Sequence, residues 1–187
     1  MFPCFETLLV QNFTIANLTY HQKRCDKTRR ELYGTHKPLK LESLLHVNDA
    51  KIYRAKVIYA KECLHVSTSL YENTRIFESF TLQESDFIYP YKYLERKKLD
   101  GYGKDILFHK NSILQDTNIA NIALFIDGVW MTPKEPLLEG TIRARLLDEG
   151  FLRVEKLDTH CLKIAEKFAI MNALLGFKII ENVRIVY

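Results

Sequence analysis

Between residues 114 and 147 the chain reads LQDTNIANIALFIDGVWMTPKEPLLEGTIRARLL, and the order of these parts leaves few ways to fold. A polar run, Asp116-Thr117-Asn118, precedes two apolar stretches, NIALF at 121–125 and VWMT at 129–132, joined by Asp127-Gly128. That pair favours the positive φ values of a two-residue turn, so the stretches are predicted to form a hairpin of antiparallel strands. Gly140 then leads into Thr141-Ile142-Arg143, the start of a basic helix that Gly150 closes. Free N–H groups and the helix dipole at such a start suit an anion, although many glycine-preceded helices bind nothing.

Upstream, residues 5–10 and 13–18 are short apolar runs around Gln11-Asn12, which predicts two paired strands. From Leu18 to Leu32 apolar residues are sparse among charges and Gly34 follows, which predicts an amphipathic helix of about four turns with His21 and Arg24 on one face. A second short helix is expected over 39–47. The alternation in AKIYRAKVIYA predicts a half-buried strand over 50–60, and further strands are expected at 63–70 and 74–82. Lys92 follows Tyr89-Pro90-Tyr91 and is expected near a strand-to-helix junction, with Gly101 and Gly103 ending that helix. DILFH reads as a strand, Asp158 as the start of a helix running to about Phe168, and KIIENVRIVY as a return to strand. This mixture is an α+β chain, read as two lobes over 1–88 and 89–187.

With 187 residues, 47% of them hydrophobic and 27% charged, the chain has the composition of a folded globular protein. A formal charge of +4, with basic residues interspersed among acids, gives nucleic-acid binding little electrostatic basis, and no partner of that kind is expected. Cys4, Cys25, Cys63 and Cys161 lie far apart, a spacing that suggests neither a zinc site nor a disulfide framework. MFPCFETLLV lacks a basic n-region, and no apolar run reaches membrane-spanning length, so a cytoplasmic protein with no membrane partner is expected.

The order Asp116, Asn121, hairpin, Thr132-Pro133 and Leu138-Glu139-Gly140-Thr141-Ile142-Arg143 resembles the signature of the class IV aminotransferases, pyridoxal-phosphate enzymes of fold type IV. Phe5-Glu6-Thr7 looks like that family's opening strand and His21-x-x-Arg24 like its basic helix motif. Lys92-Tyr93-Leu94-x-Arg96 resembles the block that carries the cofactor lysine in aminodeoxychorismate lyases, and Met171-Asn172-Ala173-Leu174 resembles a segment those lyases place beside the cofactor. The resemblance implies a two-lobed, D-amino acid aminotransferase-like fold with a shortened N-terminal lobe, a homodimer, and a small-molecule substrate.

It also implies roles. Lys92 would hold the cofactor aldehyde and serve as the catalytic base, since a lysine shielded from water and near other cations more readily becomes a neutral nucleophile. Asp116 would stabilise the protonated pyridine nitrogen; its other reading is a turn-capping aspartate, and the family more often has glutamate there. Arg24 and the backbone donors after Gly140, at Thr141 and Ile142, would bind the phosphate, with Asn121 and Asn172 completing the cofactor set and no metal needed. Ile142 departs from a family that usually places a hydroxyl at that position. Arg143 reads as a helix-surface residue as readily as a functional one, and Tyr89, Tyr91 and Tyr93 as packing or as hydrogen-bond donors. The activity implied is cleavage of 4-amino-4-deoxychorismate to 4-aminobenzoate and pyruvate. The alternatives are a branched-chain or D-amino acid aminotransferase, or a degenerate binding or scaffold member.

Overall fold

The computed structural model describes residues 2–187 and divides them into two compact units. The first comprises residues up to Thr74 together with Tyr91–Glu95; the second comprises Arg75–Pro90 and Arg96–Tyr187.

The first unit is an antiparallel sheet, in the order β2-β1-β3-β4, of β1 (Cys4–Gln11), β2 (Thr14–Ile15), β3 (Tyr53–Tyr59) and β4 (Cys63–Leu70). Helix α1 (Leu18–Tyr33) packs on it. The period of two along β1 sends Cys4, Leu8 and Val10 into a core with Ala55, Val57 and Tyr59, while Phe5 and Thr7 lie on the other face. Glu6 takes a core position on the same face as Cys4 and Leu8, and it is fully buried. The buried face of α1 is correspondingly polar: His21, Cys25, Thr28, Arg29 and Tyr33 recur at helical spacing. Gly34 closes the helix at φ 62°, its N–H and that of Thr35 donating to the carbonyls of Arg30 and Arg29. The helix expected over 39–47 is a single 3₁₀ turn at Glu42–Leu44, because Leu41 is drawn into the core and the chain must turn around it. Segment 91–95 is extended: Phe5 N–H donates to the Lys92 carbonyl at 2.9 Å and Leu94 N–H to that of Pro3 at 2.8 Å.

The second unit holds two sheets. One has the order β13-β5-β6-β7, from β5 (Ser79–Glu84), β6 (Ile106–Lys110), β7 (Ile113–Thr117) and β13 (Arg184–Val186). The other has the order β10-β9-β8-β11-β12, from β8 (Asn121–Ile126), β9 (Val129–Pro133), β10 (Arg153–Glu155), β11 (Lys167–Asn172) and β12 (Gly176–Ile180). Between β5 and β6 lies α2, only Lys97–Asp100. The hairpin at Asp127-Gly128 forms as expected, with φ values of 49° and 77°.

Both faces of the five-stranded sheet are covered. Ile122, Leu124, Phe168 and Ile170 join Phe80, Leu107 and Leu114 in one core, while Ala123, Ala169 and Met171 pack against Ile142 and Leu146 of α3 (Thr141–Asp148). This double burial explains why 121–126 reads as an unbroken apolar run. The helix expected from Asp158 to Phe168 is reduced to α4 (Cys161–Ile164). Asp158 does hold the N–H groups of His160 and Cys161, but 167–171 pairs with β8, and sheet pairing with burial of alternate residues overrides the local helix start. The strand expected over 74–82 begins at Ser79 and extends to Glu84.

Candidate functional site

In the second unit the site grows from the end of β7. Asp116 is 3% exposed, and its two oxygens are held separately: Oδ1 accepts from Asn121 Nδ2 at 2.7 Å and Oδ2 from the Leu138 N–H at 2.9 Å. The turn that makes this possible is tied by Thr117, whose N–H donates to the Ala120 carbonyl at 2.8 Å, bringing Asn121 round at a separation of five residues. Asn121 Nδ2 also donates to the Leu138 carbonyl at 2.7 Å, so one side-chain amide joins the carboxylate to the loop ahead of α3. Gly140 lies against that amide: a Cβ at this position would stand 1.8 Å from Asn121 Oδ1. The spacing of Asp116, Asn121, Leu138 and Gly140 is thus a single packed network.

Burial pushes the Asp116 carboxyl up to about 7, against the pull of its two hydrogen bonds and of the Arg143 charge. Arg143 is itself buried, with Nη2 donating to the Pro133 carbonyl at 2.9 Å, so it is not the surface residue that a basic helix suggested. Gly140, at the N-cap of α3, has no side chain with which to cap the helix. Ile142 turns its side chain into the core beneath the helix, so what it can offer a ligand is its backbone N–H. Thr141 is buried at the first helical position. Asn172 serves the turn between β11 and β12: Oδ1 accepts from the N–H groups of Leu174 and Leu175, and Nδ2 donates to Ile119.

In the first unit the expected helix motif and opening strand prove to be one device. Glu6 Oε2 accepts from His21 Nδ1 and from Arg24 Nη2, both at 2.6 Å, and Oε1 accepts from Arg24 Nε at 2.9 Å. Burial alone would raise the Glu6 carboxyl, but the Arg24 charge and the hydrogen bonds from His21 and Arg24 outweigh it and lower the group to about 2. Glu6 was not among the expected site residues. Its signal was present, since an acid alternating with Cys4, Leu8 and Val10 on a core face needs a buried partner. Lys92 is half-buried on the extended segment, and its Nζ lies 4.7 Å from the centre of the Phe5 ring. Tyr93 packs against the first unit's core and edge-on to Tyr91, whose hydroxyl reaches Glu31 at 3.4 Å; Tyr89 is buried in the second unit.

Arg24 and Lys92 therefore belong to the first unit, and Asp116, Asn121, Gly140, Thr141, Ile142 and Asn172 to the second. The first unit thus carries a fixed guanidinium and an amine, and the second a buried carboxylate and the backbone donors of a helix start.

No family model matches the chain. An uncharacterized protein of Haemophilus influenzae is 30% identical over 188 residues, covering 94% of this chain and all of that one. The crystal structure of a candidate 4-amino-4-deoxychorismate lyase from Haemophilus somnus is similar with a TM-score of 0.83 at 26% identity, covering 94% of this chain and 98% of that one. A fold IV-transaminase from Curtobacterium pusillum superposes with a TM-score of 0.81 at 17% identity, covering 97% of this chain but 79% of its own. The short form is thus shared with the first of these two structures, and the longer chain keeps the same fold. Among the described residues no helix is long and apolar enough to cross a membrane.

Two outcomes follow from the two networks. Gly140→Ala should destabilise the protein by about 1–3 kcal/mol in urea unfolding, the cost of forcing an atom into a packed site. In an Asn121→Ala background the added cost should vanish; an equal cost in both backgrounds would place the clash elsewhere. Because the folded pKa of Glu6 lies below its ordinary 4.5, the stability it confers is complete above 4.5 and is lost as pH falls towards 2. The stability difference between wild type and Glu6→Gln should be constant above that window and shrink through it, and a constant difference down to pH 2 would contradict the clamp.

Proposed function

We propose, from the premise that the chain belongs to the class IV aminotransferase family of fold type IV proteins, that it is a pyridoxal-phosphate-dependent lyase converting 4-amino-4-deoxychorismate to 4-aminobenzoate and pyruvate. It acts as a cytoplasmic homodimer. The observation that carries the reading is near end-to-end likeness to the Haemophilus somnus candidate lyase at 26% identity.

The donor set fits the cofactor. Its aldehyde needs an amine, its ring nitrogen an acid and its phosphate a guanidinium with N–H donors, and Lys92, Asp116, Arg24 and the amides of Thr141 and Ile142 are of those kinds. The buried Asp116 supports the fit most directly. A carboxyl raised to about 7 by desolvation favours a cationic neighbour, which would restore its ionised form. When bound, the cofactor supplies an electron sink that stabilises negative charge at the substrate carbon.

The chain's own residues do the rest. Lys92 Nζ would hold the cofactor aldehyde and, as a free amine, would be the base that takes a proton from the substrate carbon. Asp116, its orientation fixed by Asn121 and the Leu138 N–H, would stabilise the protonated ring nitrogen. Glu6 and His21 fix the plane of Arg24, the guanidinium that would hold the phosphate. Asn121 and Gly140 hold the loop ahead of α3 in register, and Asn172 contributes through the turn it ties.

The lyase is tested by incubating pure protein and cofactor with aminodeoxychorismate, and separately with amino acid and keto acid pairs. Release of aminobenzoate and pyruvate is expected; amino-group transfer without aminobenzoate would favour the transaminase, a reading that the Curtobacterium likeness supports. Protein that stays colourless after dialysis against the cofactor would favour a binding or scaffold role. Lys92→Ala should abolish the visible absorbance and the borohydride-stable labelling of the protein, and a mutant as coloured and as reducible as wild type would remove Lys92 from the site.

A further inference from the structure

A second lysine stands beside Lys92. Lys56 Nζ, like Lys92 Nζ, lies 4.7 Å from the centre of the Phe5 ring, so the two nitrogens are within twice that distance of each other. Strand register explains the arrangement. The Cys4–Tyr93 bridge and the Phe5–Lys92 hydrogen bond put Lys92 directly across from Phe5 on one side, while Lys56, paired with Thr7 on β3, stands diagonally across on the other. All three side chains share the sheet face turned away from α1, since Cys4, Glu6 and Leu8 occupy the opposite one.

The charge of that face is one-sided. Lys56 pairs with Ser67 of β4, and its neighbour Arg54 with Ser69. No position on this face of β1, β3 and β4 is an acid, because the one acid of β1, Glu6, lies on the core side. Among the described residues Lys56 is paired with no carboxylate, although it is half-buried. A partly buried ammonium resting on an aromatic face, with hydroxyls of Thr7 and Ser67 opposite it, suits an anionic group brought by a ligand.

We infer that Lys56 receives the ring carboxylate of the substrate, and is therefore a specificity-determining residue that selects an anionic cyclic amine at Lys92. This rests on the lyase reading for the identity of the ligand. Phe5 then has two uses: its backbone holds the Lys92 segment, and its ring is the spacer that sets the distance between the amine that reacts and the amine that binds.

The probes are 4-aminobenzoate and its neutral isostere 4-aminobenzamide, titrated by calorimetry into wild type, Lys56→Met, Lys56→Gln and Lys56→Arg, each with and without added cofactor. Wild type should prefer the acid, and Lys56→Met and Lys56→Gln should lose about ten- to hundredfold in affinity for the acid with little change for the amide, the range of a lost charge-assisted hydrogen bond. Lys56→Arg should restore the preference. In turnover the same losses should appear in KM for aminodeoxychorismate more than in kcat, with cofactor absorbance unchanged. A preference unchanged in Lys56→Met and Lys56→Gln, equal losses for acid and amide, or no binding of the acid by wild type would overturn the inference. If wild type makes aminobenzoate while the Lys56 variants keep its KM, Lys56 is wrong and the lyase stands. If wild type makes none but the acid preference still disappears with Lys56, the lyase reading fails and the carboxylate site stands.

Discussion

A carboxylate removed from water must be matched group by group, and at Asp116 this requirement organises the second unit around the candidate site. Each oxygen has its own donor, one from a side chain five residues on and one from the backbone of a loop more distant in sequence. Fixing those donors fixes the turn at 118–120, the start of β8 and the approach to α3. Gly140 follows from the same packing, since the Asn121 amide fills the space that any side chain would need. Even so matched, the group is raised to about 7, because burial outweighs the two hydrogen bonds and the nearby Arg143 charge. A carboxyl so raised favours a cationic neighbour, which would restore its ionised form.

The first unit solves the opposite problem. There the buried acid is Glu6, and a histidine and an arginine from one helix face saturate it so completely that it stays ionised. The result is a guanidinium whose plane is set by strand β1, and α1 is fastened to the sheet at the same point. The opposite face of β1 carries Phe5 with a lysine on each side. A single strand therefore presents an anion-oriented arginine through one face and an amine-bearing platform on the other. Lys92, expected in a lobe over 89–187, is joined to the first unit by the pairing of its segment with β1.

Much of this was legible where local chemistry decides structure. Gly34 and Asp127-Gly128 sit at positive φ because a helix end and a hairpin turn demand it, and such demands show in a short window. The Asp116-to-Arg143 motif was legible as an order of residue types, but its cause, one amide bridging a carboxylate and a loop, was not, because it depends on contacts across the fold. Glu6 was overlooked for the same reason: only strand alternation and a partner 15 residues away reveal it as buried. The helix expected after Asp158 was a sound local reading, with the cap formed as expected, yet pairing of 167–171 to β8 prevailed. Arg143 looked like a surface residue because the sequence shows its charge and hides the Pro133 carbonyl that receives it.

We propose that Lys92, Asp116 and Arg24 are the side chains that hold pyridoxal phosphate. A crystal structure of the protein grown with the cofactor tests it most directly. Electron density continuous with Lys92 Nζ is expected, with Asp116 and Arg24 each among the cofactor's contacts. Cofactor bound away from Lys92, with no density joined to its Nζ, would overturn it.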